Sequence, residues 1–228
     1  MREVIVAGGS GGLGSEAVRV LSKDFRVVFS YKANSARAGA VGAGEAVQAD
    51  LLQASDRVRL LDAVSELYGL AIFTGEPARG SDEAVYRRSH EINFLAPVLL
   101  AREAAERMKS LGVPGAIVLI STMQAAALFA GSTAYAAQKA ALLHAGRILA
   151  KECRGAANIR VNVICPGVNQ AGMAEASIAS GKYDKYLEDG SIPRFGRAED
   201  VARAVRFLME PDSYITGQVL TIDGGLTL

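Results

Sequence analysis

Short apolar runs and helical periods of apolar residues alternate along this chain. Residues 4–7 form a largely β-branched apolar run, and such runs bounded by turn residues are typical of strands. The apolar positions within residues 15–21 then recur at helical spacing. The same alternation continues to the C-terminus, and repeated β-α-β units with right-handed crossovers imply a parallel sheet with helices on both faces.

Seven strands are predicted from this pattern, with helical segments between them. The strands cover residues 4–7, 25–31, 45–49, 69–73, 115–121, 158–164 and 218–222, and the helical segments cover residues 15–21, 53–68, 81–110, 132–153 and 198–209. Residues 34–44 are expected to form a short helix or a loop. The expected fold class is α/β: a single-domain, Rossmann-type, doubly wound parallel sheet of seven strands, spanning residues 1–228.

One long segment, residues 166–197, lacks strand character. It follows the sixth strand, and ligands of open α/β sheets bind outside the carboxyl ends of the strands. We therefore expect this segment to form a substrate lid. A surface insertion without a role in binding is the alternative.

Glycines follow the first strand in the run Gly8-Gly9-Ser10-Gly11-Gly12-Leu13-Gly14. Glycine reaches positive φ freely and lets a ligand approach the backbone closely. A strand, a glycine turn and a helix N-terminus together form an anion site, because unpaired amide N–H groups and the helix dipole point at the turn. Phosphate is the expected ligand, and a purely structural turn is the alternative.

Composition narrows the range of functions. The 228 residues are 50% hydrophobic, which is enough for one well-filled core. A net charge of +1, from 25 basic and 24 acidic side chains, creates no overall field that would attract nucleic acid or an anionic membrane. A small-molecule partner is therefore expected. No apolar run approaches the roughly 20 residues of a membrane span.

The cysteines and the N-terminus predict a cytoplasmic protein. Cys153 and Cys165 are the only cysteines and lie in apolar or helical surroundings, which favours core thiols in a reducing compartment. The first strand follows Met1 almost directly, so no signal peptide is expected. His90 and His144 lie far apart, without a carboxylate or cysteine cluster at ligand spacing, so no metal site is expected.

Tyr135 and Lys139 bring candidate acid–base chemistry to one face of a helix. Their spacing of four residues places the phenol and the ammonium one helical turn apart. A nearby positive charge favours the phenolate, so Lys139 is expected to lower the pKa of Tyr135 toward the range useful for proton transfer. Ser121 and Thr122 end the fifth strand at the same edge of the sheet as the glycine turn.

In these motifs, and almost from end to end, the chain resembles the short-chain dehydrogenase/reductase family, in particular its 3-oxoacyl-acyl-carrier-protein reductases. The matching motifs, in chain order, are Ala7-Gly8-x3-Gly12-Leu13-Gly14, Asp50, Asn93, Tyr135-x3-Lys139, Arg160 to Gly167, and Tyr214 to Gly225. The resemblance implies an enzyme that interconverts a carbonyl and a secondary alcohol with a nicotinamide cofactor. It also implies a homo-oligomer, a tetramer or a dimer, that pairs its Ala-rich helix 132–153 across a subunit interface.

The resemblance also implies a role for each catalytic residue. Tyr135 would donate a proton to the carbonyl oxygen, Lys139 would hold the nicotinamide ribose and depress the pKa of the tyrosine, and Asn93 would help to hold a proton-relay water. Thr122 stands where the family has its catalytic serine, with Ser121 as a substitute donor. The residues implied to bind the cofactor are Gly8, Ser10, Gly11, Gly12, Leu13, Gly14, Ser30, Tyr31, Lys32, Asp50, Leu51, Thr74, Gly75, Pro166, Gly167 and Val168.

The residues after the second strand favour NADP over NAD. NAD sites use an acid roughly 20 residues past the glycine turn, and no acid lies between Asp24 and Glu45. Lys32 and Arg37 follow the strand instead and could pair with a 2′-phosphate, while Ser30 could donate a hydrogen bond to it.

Three departures from the family pattern keep alternatives open. Ile72-Phe73-Thr74-Gly75 replaces the family's N-N-A-G, Thr122 replaces its serine, and Ala171 replaces a threonine that often contacts the carboxamide. An NAD(H)-linked alcohol dehydrogenase of the same fold, which would differ only in the residues after the second strand, is a separate alternative. A non-catalytic, cofactor-binding regulator is the other.

Overall fold

All seven predicted strands form in a computed structural model that describes residues 1–228, and every neighbouring pair is parallel. They are β1 (Glu3–Ala7), β2 (Arg26–Tyr31), β3 (Glu45–Gln48), β4 (Leu67–Ile72), β5 (Gly115–Ile120), β6 (Ile159–Pro166) and β7 (Val219–Ile222). Their order across the sheet is β3-β2-β1-β4-β5-β6-β7. The predicted α/β fold is confirmed, and the strand order reverses between β1 and β4, where such sheets bind ligands.

Nine α-helices connect and cover the strands. They are α1 (Gly12–Leu21), α2 (Ser35–Gly39), α3 (Ala54–Asp62), α4 (Glu83–His90), α5 (Ala96–Leu111), α6 (Thr133–Glu152), α7 (Glu175–Ala179), α8 (Lys185–Glu188) and α9 (Ala198–Leu208). One turn of π-helix, Glu91–Leu95, joins α4 to α5. None of these helices combines the length and the apolar character needed to cross a membrane.

The structure corrects two of the predicted boundaries. The helix expected over residues 53–68 ends at Asp62, because Leu67 already pairs with Glu3 as the first residue of β4. The segment 166–197, expected to be loop-rich, begins with the last residue of β6 and contains α7, α8 and a short 3₁₀ turn, Gly172–Ala174.

Alternate residues of β1 point into two apolar layers, one on each face of the sheet. Ile5 packs in the layer formed with α3, α5 and α6. Val4 and Val6 pack in the layer formed with α1 and α9. Both cysteines are buried and unpaired, as expected of core thiols.

The helix that follows the glycine turn rests on the last helix of the chain. Val18 and Leu21 of α1 share the second apolar layer with Val205 and other buried residues of α9. Arg206 Nε lies 2.7 Å from Asp24 Oδ2 just beyond the end of α1. The position of the turn therefore depends on an element near the opposite end of the sequence.

Candidate active site

The glycine turn is tight enough to require its glycines. Gly8 has a φ of 77°, and its N–H donates to Ser30 Oγ at 2.9 Å. A Cβ on Gly14 would lie 2.4 Å from Gly8 O, and one on Gly12 would lie 2.4 Å from the backbone nitrogen of Gly172. The turn is therefore closed by direct backbone contacts, both within itself and with the segment after β6.

These residues fit the phosphates of a dinucleotide. The N-terminus of α1 has no side-chain cap and no acidic residue in its first turn, which leaves its amide N–H groups free to bind an anion. Thr74 Oγ1 is buried at the same edge of the sheet without a hydrogen-bond partner. A bound polar ligand would form hydrogen bonds with the free amide N–H groups of α1 and with the Thr74 hydroxyl.

Two cavities of about 580 and 340 Å³ meet at this edge of the sheet and share Gly11, Phe73, Thr74 and Gly75 in their walls. All the residues predicted to bind the cofactor line one or both cavities. The larger cavity holds Gly11, Gly12, Leu13, Gly14, Thr74, Gly75, Pro166, Gly167 and Val168, and the smaller one Gly8, Ser10, Gly11, Ser30, Tyr31, Lys32, Asp50, Leu51, Thr74 and Gly75. Of the predicted catalytic residues, Ser121, Thr122, Tyr135 and Lys139 line the larger cavity.

Lys32 and Asp50 pair with each other in the smaller cavity. Lys32 Nζ lies 2.9 Å from Asp50 Oδ2, and Asp50 Oδ1 accepts a hydrogen bond from the backbone of Leu52 at 3.2 Å. The charge of Lys32 is thus partly neutralised. Arg37 forms no ion pair and lines the larger cavity beside the glycine turn.

Tyr135, Thr122 and Lys139 meet where β5 ends and α6 begins. Thr122 lies two residues beyond the end of β5, where its hydroxyl accepts a hydrogen bond from Gln124 N at 3.4 Å and lies close enough to the Tyr135 phenol to lower the pKa of that phenol. Lys139 lies one turn further along α6 with only 2% of its surface exposed. Its ammonium donates to Ile120 O at 3.0 Å and to Thr74 O at 3.2 Å. Two backbone carbonyls therefore fix the ammonium, and one N–H remains for a ligand.

Burial controls the pKa values of this pair, and it corrects one prediction. The pKa of Tyr135 is not lowered: burial raises it to about 12, and the Thr122 hydrogen bond offsets only part of that effect. Burial likewise lowers the pKa of Lys139 to about 8. The helical spacing correctly predicts that Tyr135 and Lys139 lie close together. It cannot predict that burial has a larger effect on the pKa of Tyr135 than the charge of Lys139, whose ammonium is bonded to backbone carbonyls.

The two hydroxyls that end β5 have different partners. Ser121 Oγ donates to Lys139 O at 2.8 Å within the core, so this hydroxyl ties β5 to α6. The Thr122 hydroxyl faces the phenol. The expected choice of Thr122 over Ser121 as the hydroxyl next to Tyr135 therefore agrees with this geometry, whereas Ser121 is not a free substitute donor.

Asn93 is fully buried on the π-helical turn and holds the loop after β4. Its Oδ1 accepts from Glu76 N at 3.0 Å, and its Nδ2 donates to Glu76 O at 3.1 Å and to Ser89 Oγ at 3.0 Å. A Cβ on Gly75 would lie 3.0 Å from Asn93 Oδ1 and 3.2 Å from Lys139 Nζ. Asn93 therefore holds the loop that also supports Lys139 through its Oδ1 and one amide proton, while its other amide proton binds Ser89 of α4.

Several residues that line the larger cavity were not predicted. Gln124 accepts a hydrogen bond from the Ser132 hydroxyl, and both line the wall near Thr122. Arg79 and Lys182 belong to the loop after β4 and to the segment after β6. The rule that ligands bind at the carboxyl ends of parallel strands could have indicated these loops, although not the individual side chains. No group of three or more His, Cys, Asp or Glu side chains is arranged to hold a metal ion.

Comparisons with known proteins agree with this fold. A family model described as enoyl-(acyl carrier protein) reductase matches residues 16–227. An uncharacterized oxidoreductase of Methylorubrum extorquens is 33% identical over 97% of this chain and 96% of its own. Carbonyl reductase family member 4 of Danio rerio is 32% identical over 100% of this chain and 98% of its own.

Solved structures show the same architecture. A short-chain type dehydrogenase/reductase from Mycobacterium ulcerans is 28% identical and superposes with a TM-score of 0.90 over 99% of this chain and 90% of its own. A variant of actinorhodin polyketide ketoreductase, solved with NADPH, shares the fold at 21% identity and a TM-score of 0.86, over 99% of this chain and 97% of its own. The chain belongs to the short-chain dehydrogenase/reductase family. It is an oxidoreductase of carbonyl and alcohol groups that uses NAD(P).

Proposed function

We propose that this protein is an NADP(H)-dependent oxidoreductase that interconverts a carbonyl compound and a secondary alcohol, with Tyr135 as general acid and base. The observation that carries this proposal is that the Thr122 hydroxyl, the Tyr135 phenol and the buried Lys139 line one cavity beside the glycine turn. The chain is proposed to act as a single domain in which residues 166–197 cover the substrate.

Each side chain has a distinct role in this mechanism. The cofactor, when bound, exchanges hydride with the carbonyl carbon. Thr122 orients the carbonyl oxygen, and Tyr135 donates its phenolic proton to that oxygen in the direction of reduction. Burial raises the pKa of Tyr135 to about 12, so the phenol carries its proton at neutral pH, and its transfer depends on groups that stabilise the phenolate.

Lys139 and Asn93 hold the site together. The remaining N–H of Lys139 would bind the nicotinamide ribose, and its charge would stabilise negative charge that develops on Tyr135. Asn93 acts as a positioning residue, because its side chain is bonded to the backbone of Glu76 and to Ser89. The open N-terminus of α1 would bind the cofactor pyrophosphate.

NADP preference is supported by Arg37 more than by Lys32. Arg37 has no ion-pair partner beside the glycine turn, whereas Lys32 is held by Asp50. The polyketide ketoreductase described above was solved with NADPH. We expect Arg37→Asp to shift the preference from NADPH toward NADH more than Lys32→Asp does, because a free guanidinium pairs better with a phosphate.

The test combines cofactor titration with turnover. NADPH is expected to bind more tightly than NADH when cofactor fluorescence is followed, and Tyr135→Phe is expected to lower kcat by about 10²–10⁴-fold without weakening NADPH binding. Tyr186→Phe is the matched control, because Tyr186 lies in the proposed lid but does not line the cavity.

The outcomes separate the alternatives. Turnover that survives Tyr135→Phe would remove Tyr135 as the acid. Tighter binding of NADH would favour an NAD(H)-linked alcohol dehydrogenase, and cofactor binding without turnover of any carbonyl compound would favour a regulator.

We further propose a homo-oligomer that pairs α6 across a subunit interface. Small residues along α6, among them Ala137 and Ala141, permit close helix approach. The outward side of the helix also exposes 46% of Ile148. Sedimentation of the purified protein would test this assembly, and a monomer would contradict it.

A further inference from the structure

Two cations at the larger cavity, Arg79 and Lys182, have no partner in the protein. Neither side chain takes part in an ion pair or a hydrogen bond. The ammonium of Lys182 lies over the Tyr183 ring, with Nζ 5.5 Å from the ring centroid. Both cations are therefore free to bind an anion that enters the cavity.

The fold places these cations on either side of the proposed acid. Arg79 lies on the loop after β4, and Lys182 lies in the segment after β6. The strand between them in the sheet is β5, whose end carries Thr122 next to Tyr135. A molecule bound with its carbonyl at Tyr135 would lie in the cavity that both cations line.

The other charges of the cavity do not compete for this role. Lys139 is bonded to two backbone carbonyls, and Arg37 lies on the side of the glycine turn. The cavity has a single acidic residue in its wall, Glu175, and its Oε1 accepts a hydrogen bond from Gly172 N at 2.5 Å. No carboxylate of the protein neutralises Arg79 or Lys182, so the entrance to the substrate site carries net positive charge.

We propose that the substrate is a carbonyl compound, or the corresponding alcohol, that carries a carboxylate, and that Arg79 and Lys182 bind this carboxylate. The inference rests on the proposed function, since it assigns the substrate class of the same site. A guanidinium matches the geometry of a carboxylate, and two cations that line one cavity attract an anion more strongly than either would alone.

Matched acids and esters test the proposal directly. The reduction of para-acetylbenzoate and of levulinate by NADPH is compared with that of their methyl esters, which have the same ketone but no charge. We expect kcat/KM to be about tenfold or more higher for the acid in each pair, with a ratio that falls as salt screens the cations.

Substitutions identify which side chains cause the preference for the acid over the ester. Arg79→Gln and Lys182→Gln are each expected to lower the acid-to-ester ratio about threefold to tenfold, while Lys182→Arg keeps it. The matched control is Lys185→Gln. Lys185 Nζ lies 5.1 Å from the centroid of the Tyr186 ring, and Lys182 has the same kind of contact with Tyr183. Lys185, however, does not line the cavity. Equal kcat/KM for acid and ester, or an equal effect of Lys185→Gln, would overturn the proposal.

A binding experiment keeps this proposal separate from the proposed function. If NADPH binds but no acid or ester is reduced, the proposed function fails. The anion site is then tested by titrating the NADPH-loaded protein with para-acetylbenzoate and with its methyl ester. Tighter binding of the acid, lost in Lys182→Gln but not in Lys185→Gln, supports the carboxylate site, and equal binding overturns it.

Discussion

The two sides of the larger cavity differ in how firmly their side chains are held. On the side of β5 and α6, Lys139 is 2% exposed and bonded to two backbone carbonyls. On the side of the proposed lid, Met173 is 48% exposed, and Lys182 has no polar partner. The groups suited to proton transfer are thus fixed by the sheet, whereas the groups suited to recognising a substrate are free to adapt. This division explains how one fold can serve many carbonyl substrates.

The largest effect on kcat/KM is expected from a substitution on the β5–α6 side of the larger cavity. Lys139→Met removes a buried charge beside the proposed acid, and kcat/KM for carbonyl reduction should fall about 10²–10³-fold. Lys151→Met is the matched control, because Lys151 is exposed on the same helix. Similar losses in the two variants, measured by NADPH consumption, would show that the buried side has no special role in catalysis.

Lys139 should also make stability depend on pH. Burial lowers its pKa from 10.5 to about 8, so between these values the unfolded chain binds more protons than the folded one. The free energy of unfolding should therefore rise with pH across this window, by about 3 kcal/mol from this residue.

Urea unfolding can isolate this contribution. The free energy of unfolding of Lys139→Met minus that of the wild type should decrease as the pH rises from about 8 to 10.5, because only the wild type gains stability from this residue. Other groups that titrate in the same range, including Tyr135, affect both proteins and cancel in the difference. A pH-independent difference would mean that burial does not lower the pKa of Lys139 in the folded protein.

The two hydroxyls at the end of β5 should separate stability from turnover. Ser121→Ala removes the donor to Lys139 O and should lower the free energy of unfolding by about 1–2 kcal/mol. Thr122→Val removes the hydroxyl next to Tyr135 and should lower kcat about tenfold or more with a smaller effect on stability. The reverse pattern, from urea unfolding and initial rates, would exchange the roles assigned to them.

The smallest effects on stability are expected on the lid side. Met173→Ala should change the free energy of unfolding by no more than about 0.5 kcal/mol, because the side chain is half exposed, while raising KM for an apolar carbonyl substrate severalfold. Met108→Ala, in the core, should cost about 2–5 kcal/mol. A loss of kcat rather than a rise in KM for Met173→Ala would contradict the division between the two sides.

The fold could be predicted from the sequence because its signals are local. Short β-branched runs and helical periods place all seven strands within a few residues of their observed ends. Residues 63–68 were wrongly predicted as helical because Val64 and Leu67 continue a helical spacing. In the structure, Leu67 pairs with Glu3 and begins a strand instead. Strand pairing between distant residues overrides a local period.

The site was predictable to the extent that its residues come in fixed spacings. The pair Tyr135 and Lys139 follows from one helical turn, but the direction of the tyrosine pKa depends on burial, which no spacing encodes. The ion pair of Lys32 with Asp50 joins the ends of two strands and depends on their register. Arg79 and Lys182 lie in loops, where sequence patterns carry little positional information.

The packing of α1 on α9 ties cofactor binding to the order in which the chain is synthesised. Every residue that lines the two cavities precedes α9, yet the helix that follows the glycine turn packs against Val205 of α9. A nascent chain that has emerged only as far as residue 197 contains the whole site but lacks its support. Contacts between such distant segments form late and slowly. Cofactor binding by a nascent chain is therefore expected only after α9 has been synthesised.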